Sequence, residues 1–527
     1  MTVKDFLWRN ALYLVITFVF GLWMVYLITT SLSSVQTIHF INVLTAGDFE
    51  DVSSQYSSSI PLLRYFLEPF IGLTFIFAFN SDPMGIIPLF LVVYTVTRIA
   101  LLAIDNTLLY NNRKKEVIFR YFKDLLEFAV KYGSILLLVF GASLVVGYFT
   151  LGFLFVANYF ETFFHIGSII GLILIVGKGL YNAIIYFKPK GILKFRKSTS
   201  KNPVVSTLIR IKRELFYFWT AFLLLFILNF SFLSISFPTQ HITATDLAPD
   251  EFLFDFHVHT TMSDGHLTPE QRVMWYIDQG IHGAAFTDHH HPRGALRARE
   301  FVETYNLDFI VLIGQEFTDD PEDIHLNFFG IEEEITPEGY TEGPYGQNRM
   351  NASEAIKYVK ANGGYVIVNH YHRNASAPFS YEQLRDWGVD GFEIGYSDKD
   401  REIRDFCLNN SLICLTTTDE HLTRELNEFV RLKLTDPTNK TLVHIMENLR
   451  RNNHSCIVIP ELDYFRNFQG DFSQLNAFDS YLLNLDPYQA LSWAIWSVLF
   501  YGLTLLIIRR IKNRNLEGLV KKIVLLD

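Results

Sequence analysis

The chain has 527 residues, of which 50% are apolar and 48 are phenylalanine, and its net charge is −10. This composition excludes a single water-soluble domain and is typical of a protein with membrane-spanning helices. The acidic balance leaves no basic face for phosphate contacts, so we expect no stable complex with nucleic acid. The three cysteines are too sparse for a disulfide framework, and buried thiols are favoured over one disulfide pair.

The first part of the chain, residues 1–240, is predicted to be a helical membrane region with several spans. A helix needs about 18 or more apolar residues to cross a bilayer. Five segments meet this length, at residues 11–28, 133–157, 166–187, 216–237 and 490–508. Residues 62–104 contain prolines and a polar run, and they fit either two spans or one span with a re-entrant piece. The total is six or seven spans, and the first is an anchor because no small-residue cleavage site follows it.

Basic residues flank these spans unevenly, and this asymmetry predicts the orientation. They are concentrated in residues 113–123, in residues 188–213 and from residue 509 onward. By the positive-inside rule, all three flanks are cytoplasmic. Residues 238–488 are separated from the second and third flanks by one span each. We therefore expect an integral protein of the cell membrane with its large polar segment outside the cytoplasm and a C-terminal span and basic cytoplasmic tail in residues 488–527.

Between residues 250 and 462 the pattern changes to short β-rich runs that alternate with helical ones. Seven strands are predicted, at residues 252–257, 283–287, 309–314, 324–330, 365–369, 391–394 and 413–417. Thr268 followed by Pro269 indicates a helix start, and Gly280 a helix stop. Such alternation predicts parallel strands wrapped by helices, hence an α/β barrel whose active site lies at the C-terminal ends of the strands.

Eleven of the 16 histidines fall between His257 and His421, several of them at predicted strand ends. On an extended segment, the spacing of two between His257 and His259 points both imidazoles to the same side, and Asp419 and His421 repeat that spacing. Five further donors lie between the two pairs: Asp264, His289, Glu316, His325 and His370. A single histidine of this kind is usually a surface or packed residue, but six imidazoles and three carboxylates in this order favour a metal site.

These motifs resemble, in order, those of the PHP (polymerase and histidinol phosphatase) family. The matching segments are Asp255-Phe256-His257-Val258-His259-Thr260, Ser263-Asp264-Gly265, Thr287-Asp288-His289, Gly314-Gln315-Glu316, Asn369-His370 and Thr418-Asp419-Glu420-His421. The resemblance covers residues 250–462. It implies a distorted (β/α)7 TIM-like barrel with a trinuclear metal centre and an activity that is mostly phosphoester hydrolysis.

The resemblance also implies how the donors divide among two or three divalent ions of zinc, manganese or iron. One ion would take His257, His259, Glu316 and Asp419. Glu316 would bridge to a second ion, held by His325 and His370, and the third would take Asp264, His289 and His421. The chain departs from the family pattern after His289 and after His370, which leaves the substrate preference open.

The expected reaction is hydrolysis of a small phosphomonoester or nucleotide by a metal-activated water. Protonation of the leaving alcohol requires an acid, and His372, His290 and Asp288 are candidates, each with a supporting role as the alternative. Arg373 could bind phosphate with two parallel hydrogen bonds or be a solvated loop residue. Glu393, at the end of a predicted strand, is predicted to support a ligand rather than to bind metal.

Three alternatives remain open at this stage. The segment from Glu316 to Asn327 also resembles the PHP branch that contains carbamate-ester hydrolases, so a carboxylic ester or carbamate is a possible substrate. A metal-bound sensor or binding domain coupled to the membrane helices is the second alternative. A transporter with an accessory barrel is the third, and only Arg98 and Lys178 within apolar segments favour it. The expected partners are a small phosphorylated or ester substrate and the lipid bilayer, and the oligomeric state is open.

Overall fold

The computed structural model describes residues 3–33, 38–77, 165–187, 240–319, 322–338, 348–371, 379–422, 425–462 and 473–523, with the single residues 125, 128 and 132. The helices are α1 (Val3–Ser33), α2 (Leu62–Phe77), α3 (His165–Phe187), α4 (Pro269–Asp278), α5 (Arg293–Tyr305), α6 (Ala352–Ala361), α7 (Tyr381–Trp387), α8 (Asp398–Asn409), α9 (Leu442–Arg450), α10 (Ser473–Leu483) and α11 (Pro487–Ile523). The strands are β1 (Ile41–Asn42), β2 (Glu50–Asp51), β3 (Tyr56–Ser59), β4 (His241–Ala244), β5 (Glu251–Val258), β6 (Gly283–Phe286), β7 (Ile310–Asp319), β8 (Ile324–Phe329), β9 (Thr336–Pro337), β10 (Arg349–Met350), β11 (Tyr365–Val368), β12 (Gly391–Glu393), β13 (Ile413–Leu415), β14 (Glu428–Lys433) and β15 (His454–Val458).

A mixed sheet of eleven strands organises this part of the chain, in the order β13-β12-β11-β8-β7-β6-β5-β14-β15-β1-β2. All seven predicted strands are present in it, and helices α4 to α8 alternate with them as the sequence predicts. Strands β5, β6 and β7 are parallel, as are β11, β12 and β13, whereas β8 lies antiparallel between the two sets. The architecture is therefore α/β, with a mixed rather than parallel sheet.

The predicted closed barrel of seven strands is not formed by the described residues. Closure would require a ladder between β13 and β5, but β14 pairs with that edge of β5 through Val430 and Phe254. Between β5 and the segment after β13 there is instead an isolated bridge, which joins Val258 and Glu420. There the Asp419 amide donates to the His257 carbonyl over 3.1 Å. This contact between β5 and the segment after β13 thus lies beside the metal donors.

Local sequence signals explain how α4 and β5 form. The Thr268 side chain accepts from the Gln271 backbone amide, the Gln271 side chain accepts from the Thr268 backbone amide, and Pro269 occupies the first turn. Gly280 has φ +82° just after the helix, a conformation that favours glycine. Strand β5 is buried on both faces from Leu253 to Val258, which explains why its sequence is almost continuously apolar apart from its functional residues.

A second layer consists of α1, α2, α10 and α11, which pack on one another. Within the described residues, two helices contain a segment long and apolar enough to cross a membrane, Tyr13–Thr30 in α1 and Pro487–Leu506 in α11. The predicted spans at residues 133–157 and 216–237 lie outside the described residues, and so do residues 78–104. The predicted span at residues 166–187 corresponds to α3.

Residues 41–59 belong to the sheet-forming unit. Ile41 pairs with Val458 of β15, and Tyr56 of β3 pairs with Ala244 of β4. Phe40 and Tyr56 pack on Phe429 in the core. The sequence places this segment in the membrane region because it is flanked by apolar stretches, whereas its partners are more than 180 residues away. The division of the chain at residues 240, 250, 462 and 488 stays a prediction.

Candidate metal centre

Strand ends bring the nine predicted metal ligands together. His257 and His259 lie at the end of β5, and both are fully buried. Glu316 lies on β7 beside β8, which carries His325. His370 follows β11, whereas Asp419 and His421 follow β13. Asp264 and His289 lie in the loops after β5 and β6.

Three groups of donor atoms lie close enough to hold a metal ion, and together they contain all nine residues. They are His257, His259 and Asp419; Glu316, His325 and His370; and His259, Asp264, His289 and His421. In the first group, the Nε2 atoms of His257 and His259 lie 3.3 and 3.2 Å from an Asp419 oxygen. The same two nitrogens are 3.0 Å apart.

Glu316 connects the three groups. One carboxylate oxygen lies 2.9 Å from Nδ1 of His325 and 3.6 Å from Nε2 of His370. The other lies 3.3 Å from Nε2 of His259 and 3.0 Å from Nδ1 of His289. Its central position agrees with the bridging role that the resemblance implies.

The third group is open to solvent on one side. An Asp264 oxygen lies 3.2 Å from Nε2 of His421 and 3.5 Å from Nε2 of His289. The other Asp264 oxygen is 3.5 Å from Nδ1 of His259. The Asp264 side chain is 49% exposed, whereas that of Glu316 is 1% exposed. His259 thus belongs to two groups, although the resemblance assigned it to one ion.

The charge distribution in this cavity suits cations. Burial alone would raise the pKa of Glu316 and Asp419, but the surrounding histidines hold both pKa values well below the usual range. Burial lowers the pKa of His257, yet the carboxylates of Asp419, Glu393 and Glu316 outweigh it and raise that pKa well above its usual value. The cavity therefore contains ionised carboxylates that favour a positive charge among the imidazoles.

The donor set fits divalent metal ions. Imidazole nitrogen and carboxylate oxygen are ligands of zinc, manganese and iron. Two ligands that bind one ion at about 2.1 Å lie roughly 3.0 to 3.4 Å apart in octahedral or tetrahedral geometry. The separations of 3.2 and 3.3 Å between the imidazoles of the first group and Asp419 fall in this range. They are long for hydrogen bonds between ionised groups.

Several residues hold the donors in place. Glu393 accepts from Nδ1 of His257 over 2.7 Å and from the His370 amide over 2.8 Å, which is the contact expected of a carboxylate that orients a metal-binding histidine. Two supporting residues had no predicted role: Asn369, whose amide donates to Glu316 over 2.9 Å, and Thr318, whose hydroxyl lies 2.7 Å from Nδ1 of His289. The position of Asn369 directly before His370 was the one signal in the sequence that pointed to it.

The three catalytic candidates differ in what the structure describes. Asp288 is buried, and its carboxylate accepts hydrogen bonds from the amide and hydroxyl of Thr260 and from the hydroxyl of Ser263, over 2.7 to 2.8 Å. These contacts tie Asp288 to the loop that carries Asp264. His372 and Arg373 lie outside the described residues.

Left-handed backbone conformations are frequent at the site. His290, His370 and Asp419 have φ values of +64°, +27° and +50°. Such conformations are uncommon for residues other than glycine and concentrate at functional sites, where the surrounding structure stabilises them. The His290 amide donates to the Glu316 carbonyl over 2.7 Å, which ties this strained turn to β7.

Comparisons with known proteins gave limited matches. No protein-family model matches the sequence. Among curated proteins, the chain is 32% identical over 84 residues to the 5′-3′ exoribonuclease Rnm of Escherichia coli (strain K12). This alignment covers 16% of the chain and 29% of Rnm, so the chain spans less than a third of the length of that relative.

Solved structures show a distant similarity. One is a two-domain protein from Bacteroides vulgatus with a predicted PHP-like metal-dependent phosphoesterase, at 20% identity and a TM-score of 0.33, covering 40% of this chain and 66% of that one. A second, described as a metal-dependent phosphoesterase of Bifidobacterium adolescentis, has 20% identity and a TM-score of 0.29, covering 36% and 96%. A third is an amidohydrolase of Chromobacterium violaceum with bound sulfate, at 15% identity and a TM-score of 0.24, covering 32% and 87%.

Proposed function

We propose that the protein is a membrane-anchored, metal-dependent hydrolase of the PHP type that cleaves small phosphoesters. The observation that carries this proposal is the convergence of nine nitrogen and oxygen donors in three adjoining groups at the strand ends. Eight of the nine donors lie in the segments that resemble PHP motifs, and the resemblance assigns His325 to the same centre. A purely structural metal site would need about four ligands and no opening to solvent.

The donors would hold two or three divalent ions. Ions bound there would neutralise phosphate oxygens and activate a water molecule near neutral pH. Glu316 keeps the three groups within one cavity, and Glu393 orients His257. Asp264 and His289, at 49% and 23% exposure, mark the side from which a substrate could enter.

A phosphoester suits such a centre better than a carboxylic ester or carbamate. A phosphate group offers several oxygens that adjoining cations can neutralise together, whereas an ester carbonyl offers one. Arg373 and His372 follow His370 in the chain and remain our candidates for binding phosphate and for protonating the leaving alcohol. For Asp288 the hydrogen bonds to Thr260 and Ser263 favour a role in holding the Asp264 loop.

Membrane anchoring is supported by the exposed apolar side chains of α1 and α11. Examples are Phe18, Leu22, Leu499 and Leu506, each at least half exposed. Such surfaces are unfavourable in water and suit the hydrocarbon core of a bilayer.

The metal and the activity can be tested together on the purified full-length protein. His257→Ala and Asp419→Asn should each lower bound divalent metal, measured by elemental analysis. They should also lower hydrolysis of p-nitrophenyl phosphate by at least about 10- to 100-fold, the loss typical when a metal ligand is no longer supported. His241→Ala is the matched control, because His241 is exposed and lies outside the three donor groups.

Two outcomes would contradict the proposal. Full activity in Asp419→Asn would exclude a catalytic metal centre at these residues. Cleavage of p-nitrophenyl acetate by the metal-loaded protein, with p-nitrophenyl phosphate and nucleotides left intact, would replace the phosphoesterase with an esterase or carbamate hydrolase.

A further inference from the structure

The metal donors lie where several strands of the main sheet end, and we call this end of the strands the donor edge. Strand β5 runs toward this edge and ends beside His259. Strand β14 is antiparallel to β5 and therefore begins there, and β15, antiparallel to β14, ends there. Strand β1 is antiparallel to β15 and also begins at the donor edge.

The chain passes from the sheet to the helical layer at this same edge. Helix α1 precedes the start of β1, and α10 follows the end of β15. Helix α2 follows the end of β3, where Ser59 pairs with His241. The neighbouring Gln240 donates to the Leu426 carbonyl over 2.8 Å, just before β14 begins. All of these elements therefore enter or leave the sheet on the side where the metal donors lie.

A buried ion pair fixes α2 against a loop that carries metal donors. Arg64 on the first turn of α2 contacts Glu425, and it donates to Glu68 over 2.8 Å. All three residues are buried, and a buried charge persists only when it is paired. Glu425 lies four residues after His421, so the contact joins α2 directly to the loop that carries the donors.

Aromatic residues mark the level at which the helices would leave the bilayer. Trp23 lies in the second half of α1, which runs toward β1, and Trp493 and Trp496 lie near the start of α11, which follows β15 and α10. The rings of Trp23 and Trp493 pack 5.8 Å apart. Tryptophan concentrates at the headgroup level of membranes. All three residues lie in the half of their apolar segment that is nearer the sheet, so the donor edge is on the side where these helices leave the bilayer.

The first turns of α2 expose apolar side chains at the same place. Leu62, Leu63 and Phe66 are 85%, 56% and 59% exposed, next to the buried Arg64. The Phe66 ring packs 5.4 Å from that of Trp496. These exposed side chains therefore extend the apolar surface around Trp496 of α11 toward the loop that holds Glu425.

From this arrangement we infer that the substrate is a phosphomonoester in the headgroup of a bilayer lipid, an inference that rests on the proposed phosphoester hydrolysis. Water adds to phosphorus, the bond between phosphorus and the lipid alcohol oxygen breaks, and a proton passes to that oxygen. Inorganic phosphate leaves into the water and the alcohol stays in the bilayer. The acyl chains stay in lipid beside Leu62 and Phe66, and their binding energy helps to hold the phosphate at the donor edge.

The inference is tested with the full-length protein in nanodiscs of phosphatidylcholine that contain phosphatidic acid. At equal total phosphate, phosphatidic acid should turn over at least about tenfold faster than glycerol 3-phosphate, which has the same headgroup without acyl chains. Leu62→Ser combined with Phe66→Ser should lower the turnover of phosphatidic acid several-fold. Val443→Ser is the matched control and should leave it unchanged, because Val443 is exposed on α9, between the end of β14 and the start of β15 at the opposite edge.

A second readout does not depend on turnover. The fluorescence of Trp496 is the part of the tryptophan emission that disappears in Trp496→Phe. Lipids brominated near the headgroup should quench this part more strongly than lipids brominated at the chain ends. Stronger quenching from the chain ends would place the aromatic level deep in the bilayer and overturn the inference. So would hydrolysis of glycerol 3-phosphate with phosphatidic acid left intact, although the phosphoesterase would then stand. Hydrolysis of neither, with p-nitrophenyl phosphate still cleaved, would overturn the inference alone, whereas metal-loaded protein that cleaves none of the three would remove both proposals.

Discussion

Glu393 shows how a residue that need not touch metal can control the site. Its carboxylate bridges Nδ1 of His257 and the backbone amide of His370, two residues that come from different donor groups. The negative charge fixes which nitrogen of His257 carries the proton and leaves Nε2 free for a metal ion. We therefore predict that Glu393 is a positioning residue.

Glu393→Gln keeps the shape of this side chain but removes its charge. We expect metal affinity or activity to fall about 10- to 100-fold, because the imidazole of His257 becomes less basic and less firmly oriented. Elemental analysis and a chelator competition measure the affinity, and the thermal midpoint should change little. Glu402→Gln, an exposed glutamate on α8, is the control. Unchanged metal affinity and activity in Glu393→Gln would show that this hydrogen bond does not position His257.

The donor residues themselves were predictable from the sequence, but their grouping was not. His257 and His259 face the same way because the period of a strand is two, which is a local property. The sharing of His259 between two groups depends on the approach of Asp264 from one loop and of Asp419 from another. No local pattern encodes that approach.

Helix packing near the donor edge depends on a glycine in α2. A side-chain carbon at Gly72 would lie 2.5 Å from the Tyr481 ring and 2.6 Å from the Trp493 ring. Tyr481 in turn contacts Glu68, and the Trp493 indole donates to the Tyr481 hydroxyl over 3.2 Å. Close approach of α2 to α10 and α11 thus requires the absence of a side chain at position 72.

Gly72→Ala should destabilise this packing by about 1 to 3 kcal/mol, the usual cost of inserting a carbon into a filled interface. The measurement is the midpoint of thermal unfolding in detergent. Gly502→Ala in α11 is the control, since a side-chain carbon there meets nothing within 4 Å. An equal midpoint for Gly72→Ala and the unaltered protein would mean that α2 does not pack as closely as the contacts indicate.

At the level of these elements, the sequence predicted what local signals encode. The start of α4 at Pro269 follows from its cap. The seven predicted strands, β5 to β8 and β11 to β13, follow from their apolar runs. Strands β14 and β15 were not predicted, nor was the antiparallel course of β8. Strand direction is decided by which edge of the sheet accepts the segment, and a short apolar run is the same in either direction.

The orientation of the chain in the membrane remains a prediction, and it can be tested in intact cells. An impermeant thiol reagent should label a cysteine placed at Thr341 and should miss one placed at Ser198, because the basic flanks are expected in the cytoplasm. The native Cys407, Cys414 and Cys456 are buried and free, so the background should be low. Both engineered cysteines should react after permeabilisation. Labelling at Ser198 alone in intact cells would reverse the orientation and place the metal donors in the cytoplasm.

The sequence by itself identified the nine candidate donors, their order and the apolar segments, because these depend on residue type and on spacing within one element. Only the tertiary structure decided that the sheet stays open beside β14, that β1 and β2 join it, and that Arg64 meets Glu425 across 361 positions of the chain. These contacts join elements that are distant in sequence. They arise when burial brings particular surfaces together, and nothing in the local composition of either partner indicates the other.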